Sequence, residues 1–178
     1  MSLKINSFGS RLSFELVRDD DTVGGLAYVK TGSALAARGS ARANVHGEEI
    51  IIQVEPNKAK NGMVCFDIYK EKREFGELDF NWRGKGKLEL KRRQGGEDKF
   101  NILPKGLSDL WFLITDRANV PVMEVRPITQ WNAAKYQFEV HTKTERFPER
   151  VIDELAIYAG FAANVIMARN AGVVKGRR

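Results

Sequence analysis

Apolar and polar positions alternate with a period of two through Leu12-Ser13-Phe14-Glu15-Leu16, Phe66-Asp67-Ile68, Leu78-Asp79-Phe80-Asn81-Trp82 and Leu88-Glu89-Leu90. Such alternation marks strands that bury one face. It dominates from residue 12 to about 141, and strands are expected over about 8–142. Turn-forming clusters interrupt it about every ten residues: Asp19-Asp20-Asp21 with Gly24-Gly25, Pro56-Asn57, Asn61-Gly62, Gly84 to Gly86, Gly95-Gly96, Pro104-Lys105-Gly106, and Asn119 before Pro121. No segment of helical period separates the strands, which disfavours a parallel βαβ architecture. An antiparallel meander of roughly a dozen strands remains. Phe66 to Leu90 can be laid over Phe112 to Val140 as strand, turn, strand, tryptophan, strand, with Trp82 and Trp131 in matching places; meander grammar alone also produces such an echo.

The pattern changes after residue 147. Pro148 suits the first helical position, and Glu149, Asp153 and Glu154 place negative charge in the opening turns. Arg169 precedes Asn170 and Gly172, so the helix is expected over about 148–169, followed by a basic tail, 170–178. From Leu155 to Ala168 (LAIYAGFAANVIMA) Asn164 is the sole frankly polar residue, so this helix is apolar on all sides. It belongs inside a protein or inside a membrane. A span needs about 20 apolar residues, so the run predicts a buried core helix and no transmembrane span. Ala156, Ala159, Gly160, Ala162 and Ala163 would let strands approach closely.

The 178 residues, 43% of them hydrophobic, form one domain, 1–178. Cys65 is the one cysteine, which excludes an internal disulfide and a cysteine-based zinc cage. The N-terminus lacks a charged stretch leading into an apolar segment, so a cytoplasmic protein, peripheral to a membrane at most, is expected. The net charge is +6, distributed as −1 over 1–57, +5 over 58–105, 0 over 106–148 and +2 over 149–178. Arg83 to Arg93 (RGKGKLELKRR) holds six cations against Glu89, and Arg169 to Arg178 holds four cations with no acid. Such a balance favours anionic partners, nucleic acid or a membrane surface.

The strand-turn-strand units Leu110-Trp111-Phe112-Leu113-Ile114-Thr115-Asp116 to Val120-Pro121-Val122-Met123-Glu124-Val125 and Phe66 to Leu78, with the terminal helix Val151 to Ala168, carry a resemblance. A meander closed by one late, wholly apolar helix resembles the tubby C-terminal-like superfamily, which includes the tubby proteins, the phospholipid scramblases and the LURP-one-related proteins. The resemblance implies an antiparallel β barrel enclosing a C-terminal apolar helix, and the phosphoinositide or membrane association of some relatives.

No catalytic motif is present. Gly84-Lys85-Gly86-Lys87-Leu88-Glu89 matches neither phosphate-binding glycine pattern and reads as a turn. His46 and His141 lie far apart with no H-E-x-x-H, and Ser40 in Arg38-Gly39-Ser40-Ala41 does not form G-x-S-x-G. Asp19 to Asp21 lacks the spacing of a calcium loop. No cofactor and no metal are expected. Trp82 and Trp131, in phase with apolar neighbours, are expected to pack in the core or at a barrel rim rather than to stack on bases.

The candidate ligand-binding residues are Arg83, Lys85, Lys87, Lys91, Arg92 and Arg93. With Leu88 and Leu90 facing the core, period two turns Lys85, Lys87, Glu89, Lys91 and Arg93 outward as a cationic stripe. The bland alternative is a mixed-charge face: pairing Leu88 with Phe80 would set Glu77 opposite Lys91. The first functional reading is a non-catalytic binding module for anionic ligands, phospholipid or phosphoinositide headgroups at a membrane surface. Nucleic-acid binding through the same face is the second, disfavoured because Arg83 to Arg93 contains no aromatic to stack on a base. An enzyme with an unrecognised pocket is the third.

Overall fold

The computed structural model describes residues 2–9, 12–28, 40–55, 58, 64–81, 83–92, 95–106, 109–132 and 135–175, with helix side chains to residue 170. The strands are β1 (Leu3–Ser7), β2 (Phe14–Arg18), β3 (Asp21–Tyr28), β4 (Ala41–Val45), β5 (Glu48–Val54), β6 (Val64–Lys70), β7 (Arg73–Phe80), β8 (Gly86–Lys91), β9 (Glu97–Lys105), β10 (Trp111–Asp116), β11 (Pro121–Pro127) and β12 (Gln137–Thr142). Each pairs antiparallel with its sequence neighbours, and β1 pairs with β12, Ile5 opposite Phe138, to close a barrel. Closure leaves no sheet edge. The expected antiparallel barrel enclosing a C-terminal apolar helix is therefore observed. Strand structure starts earlier than the alternation suggested, at Leu3, because Lys4 and Asn6 supply the polar phase between the buried Leu3 and Ile5.

The helix α1 (Glu149–Lys175) fills the barrel. Its stretch Glu149–Asn170 is long and apolar enough to cross a bilayer, but Ile157, Tyr158, Phe161, Ala162 and Ala163 are buried against the inward strand residues. Phe161 stacks on Tyr28 at 5.7 Å and meets Phe66 edge-on at 5.0 Å. Each such burial contributes about 1.5–3 kcal/mol. Gly160 is required by space, since a Cβ there would lie 2.9 Å from Phe14 Cζ and 3.0 Å from Ile5 Cδ1. The helix runs past Asn170 and Gly172, so residues 170–175 of the expected tail are helical. One glycine costs a helix only about 1 kcal/mol, too little to stop one anchored by burial.

In a meander, successive connections alternate between the two ends of the barrel. At the end where α1 begins, called here the entry end, β2–β3, β4–β5 and β6–β7 are joined by two residues each: Asp19-Asp20, His46-Gly47 and Glu71-Lys72. All six residues have positive φ, as tight primed turns need. At the exit end, where α1 leaves, the connections are five to twelve residues long.

Candidate functional site

The candidate cations run along the wall of the barrel from one end to the other. Leu88 and Leu90 point inward, and Lys85, Lys87 and Lys91 are exposed, so the expected alternation holds. Arg83 and Lys85 lie in the β7–β8 connection, at the exit end. Asn81 shapes this turn: its Oδ1 accepts the amides of Arg83 at 2.9 Å and Lys85 at 3.0 Å, and Gly84 adopts the left-handed φ of 77°. Arg92 follows β8 at the entry end and is exposed. Arg93 and Trp82 lie outside the described residues.

The register differs from the expected one by two residues. Leu78, not Phe80, stands opposite Leu88, and Phe80 faces Gly86. The Asn81-capped turn closes as five residues and sets this pairing. Asp79 then faces Lys87 and Glu77 faces Glu89. Most of the stripe is answered by acid: Lys87 meets Glu89 at 2.6 Å, Lys91 meets Glu74 at 2.7 Å, and Arg92 pairs with Asp98. The ammonium groups hold Glu89 and Glu74 below the usual carboxylate range. These pairs are exposed, so each contributes little and can be exchanged for another anion. The Lys85 side chain has no acidic partner among the described residues.

Two polar clusters hold the helix. At the entry end, the fully buried Asp153 accepts from Arg18 Nε at 3.2 Å and lies 2.8 Å from His46 Nε2. Hydrogen bonding to Asp153 raises the Arg18 pKa against the opposing effect of burial. Lys70 joins Glu154 at 2.6 Å and Glu48 at 3.6 Å while its ammonium sits 4.1 Å from the Phe75 ring centre. At the exit end the contacts are neutral. Asn164 donates to Tyr136 Oη at 2.7 Å and accepts the Trp131 indole N–H at 3.0 Å, and Tyr136 donates to the Leu12 carbonyl at 2.7 Å. Trp131 is thus a rim residue committed to the helix. Neither cluster stood out in the sequence as a set; the lone polar Asn164 in an apolar helix was the available signal.

No arrangement suited to covalent chemistry appears among the described residues. His46 and Asp153 form a pair, but no hydroxyl or thiol among the described residues hydrogen-bonds the imidazole. His141 lies on β12 beside Glu139, 3.2 Å away. Cys65, Asp67 and Glu77 bring ligand atoms within 4.8 Å of one another. The Lys58 ammonium fills that cluster, at 2.8 Å from Asp67 and 3.1 Å from Glu77, and burial pushes the Cys65 thiol far above its usual pKa. It is a lysine salt bridge. A cleft of about 470 Å³ at the entry end has an apolar floor of Phe75, Leu90, Phe100 and Leu155; of the cations that line it, Lys70, Lys91 and Arg92 are paired with acids and Arg73 is exposed.

These features define a class: a closed twelve-stranded antiparallel barrel with its own C-terminal helix as core. Comparison of the chain with protein-family models, curated proteins and solved structures finds no match.

Proposed function

We propose that the protein is a non-catalytic binding module for anionic ligands, phospholipid or phosphoinositide headgroups at a membrane surface. The observation that carries this reading is the run of exposed cations that starts with Arg83 and Lys85 in the β7–β8 connection, continues through Lys87 and Lys91 on the outside of β8 and ends at Arg92. Ammonium and guanidinium groups on a rigid strand hold phosphate oxygens by charge-assisted hydrogen bonds. The ion pairs along the row are solvent-exposed, so a phosphate displaces them at small cost. The helix occupies the interior that other barrels give to a ligand, which leaves the outer surface for recognition. The tubby C-terminal-like superfamily, which the sequence resembles in having a barrel around a single apolar helix, is the family we propose for it.

The test is flotation with vesicles of phosphatidylcholine, with and without phosphatidylserine or a phosphoinositide, beside a titration with duplex and single-stranded oligonucleotides at the same physiological salt. Binding to the anionic vesicles that is lost when Lys85, Lys87, Lys91 and Arg92 all become Gln is the expected result. Binding to oligonucleotide with none to vesicles would replace lipid by nucleic acid as the partner.

A further inference from the structure

We infer that the protein seats end-on against an anionic bilayer, so that the exit end, where the cationic row begins at Arg83 and Lys85, makes the main contact and the rest of the row contributes little. This rests on the anionic-lipid reading above and adds which surface meets the lipid. The topology sorts the charge. Among the described residues, the exit-end connections and the helix terminus hold five Lys and Arg (Lys58, Arg83, Lys85, Lys135 and Arg169) against Glu55 and Asp109. The described entry-end segments hold six cations and seven acids. The strands hold ten cations and fourteen acids. Of the three described regions, the exit end alone is therefore net positive.

The described side chains agree with that division. Arg83, Lys85 and Lys135 are exposed at the exit end, and Arg169 joins them, its guanidinium donating to the Asn81 carbonyl at 3.3 Å. Lys85 and Lys135 have no acidic side-chain partner among the described residues, whereas Lys87, Lys91 and Arg92 on the wall and beyond are paired. Phe8 is 46% exposed and Ile128 49% exposed, at the exit-end termini of β1 and β11, the two strands that flank β12. The entry end also exposes apolar side chains, Val120 and Val151, but among balanced charge. Cations and large apolar side chains on the same end of the barrel fit the headgroup layer of an anionic membrane, where the charge draws the end in and the apolar groups enter beneath.

Two measurements test the orientation, on vesicles of phosphatidylcholine containing phosphatidylserine. Arg83, Lys85 and Lys135 changed together to Gln should weaken binding roughly tenfold to a hundredfold, while Lys87, Lys91 and Arg92 changed to Gln should alter it less than about threefold. An environment-sensitive fluorophore on Phe8→Cys should shift to the blue with vesicles, and the same label on Val120→Cys should not; the buried Cys65 stays unlabelled. Unchanged melting temperatures establish that the variants fold. If the end variant binds like the parent and the wall variant does not, or if only the Val120 label shifts, the end-on proposal falls and the lipid reading stands. A parent protein that ignores these vesicles, or prefers duplex oligonucleotide, overturns both.

Discussion

The two ends of the barrel hold the same helix by different means. At the entry end three of the five strand-to-strand turns are two residues long, and the helix is tied down by charge: Asp153 to Arg18 and His46, and Lys70 to Glu154. At the exit end the connections are longer, and the helix is held by the neutral set Asn164, Tyr136, Trp131 and the Leu12 carbonyl. The difference follows from where each charge can be answered. The helix N-terminus favours carboxylates, which then need cations from the strands around them. At the exit end the described cations Arg83, Lys85 and Lys135 are exposed, and the buried polar contacts of the helix are made by neutral groups. One end is locked by charge between helix and turns; the other relies on uncharged hydrogen bonds inside the barrel.

The largest effect is expected midway between the ends, where neither set of polar contacts can help. Ala159 is buried, and Ala159→Asp should abolish folding, since an unpaired carboxylate there costs several kcal/mol or more. A soluble variant with a cooperative thermal transition would show that the helix is not the core.

Removing the entry-end anchor comes next. Asp153→Ala leaves Arg18 facing a buried site, and denaturant melts should show a loss of about 2–4 kcal/mol; this is below the full cost of orphaning a buried charge because Arg18 retains some exposure and lies 3.9 Å from Glu149. Asn164→Ala at the exit end should cost less, about 1–3 kcal/mol, because the groups it leaves unpaired, the Trp131 indole N–H donor and the Tyr136 Oη acceptor, are neutral. The reverse order would break the contrast between the ends.

The smallest effect concerns acid. Asp116, at the start of the β10–β11 turn on the entry end, accepts the amides of Val120 and Ala118 at 2.9 Å each and Arg146 Nη1 at 3.0 Å. The backbone donors, Val120 first, and then Arg146 hold its carboxyl below the ordinary range. A folded-state pKa below the unfolded value of about 3.9 means that its stabilising contribution is present above that pH and lost as pH falls through the folded value. Asp116→Asn should therefore be slightly less stable at neutral pH, with a shallower decline below about pH 4. Asn164→Ala should not change the shape of the pH profile, since none of its partners carries a charge there.

Much of the architecture was legible without coordinates. Alternation such as Leu88-Glu89-Leu90 marks a one-sided strand whatever its partners are, and an apolar run with one Asn must be enclosed. Register was not legible: a slip of two residues keeps every side chain on its own face, so the Leu88 partner could move from Phe80 to Leu78 without disturbing the pattern. Asp153 read as an acid favouring a helix N-terminus, yet its partners Arg18 and His46 stand 135 and 107 residues away.

The sequence by itself determined that strands form, that they meander, and that the last helix is buried, because each depends on local periodicity and on the cost of leaving apolar surface in water. The tertiary structure alone decided where the charge goes. A running sum along the chain mixes connections from both ends, since a meander sends consecutive turns to opposite poles. Closure into twelve strands around a helix separates them, and among the described residues the exit end alone carries a net positive charge.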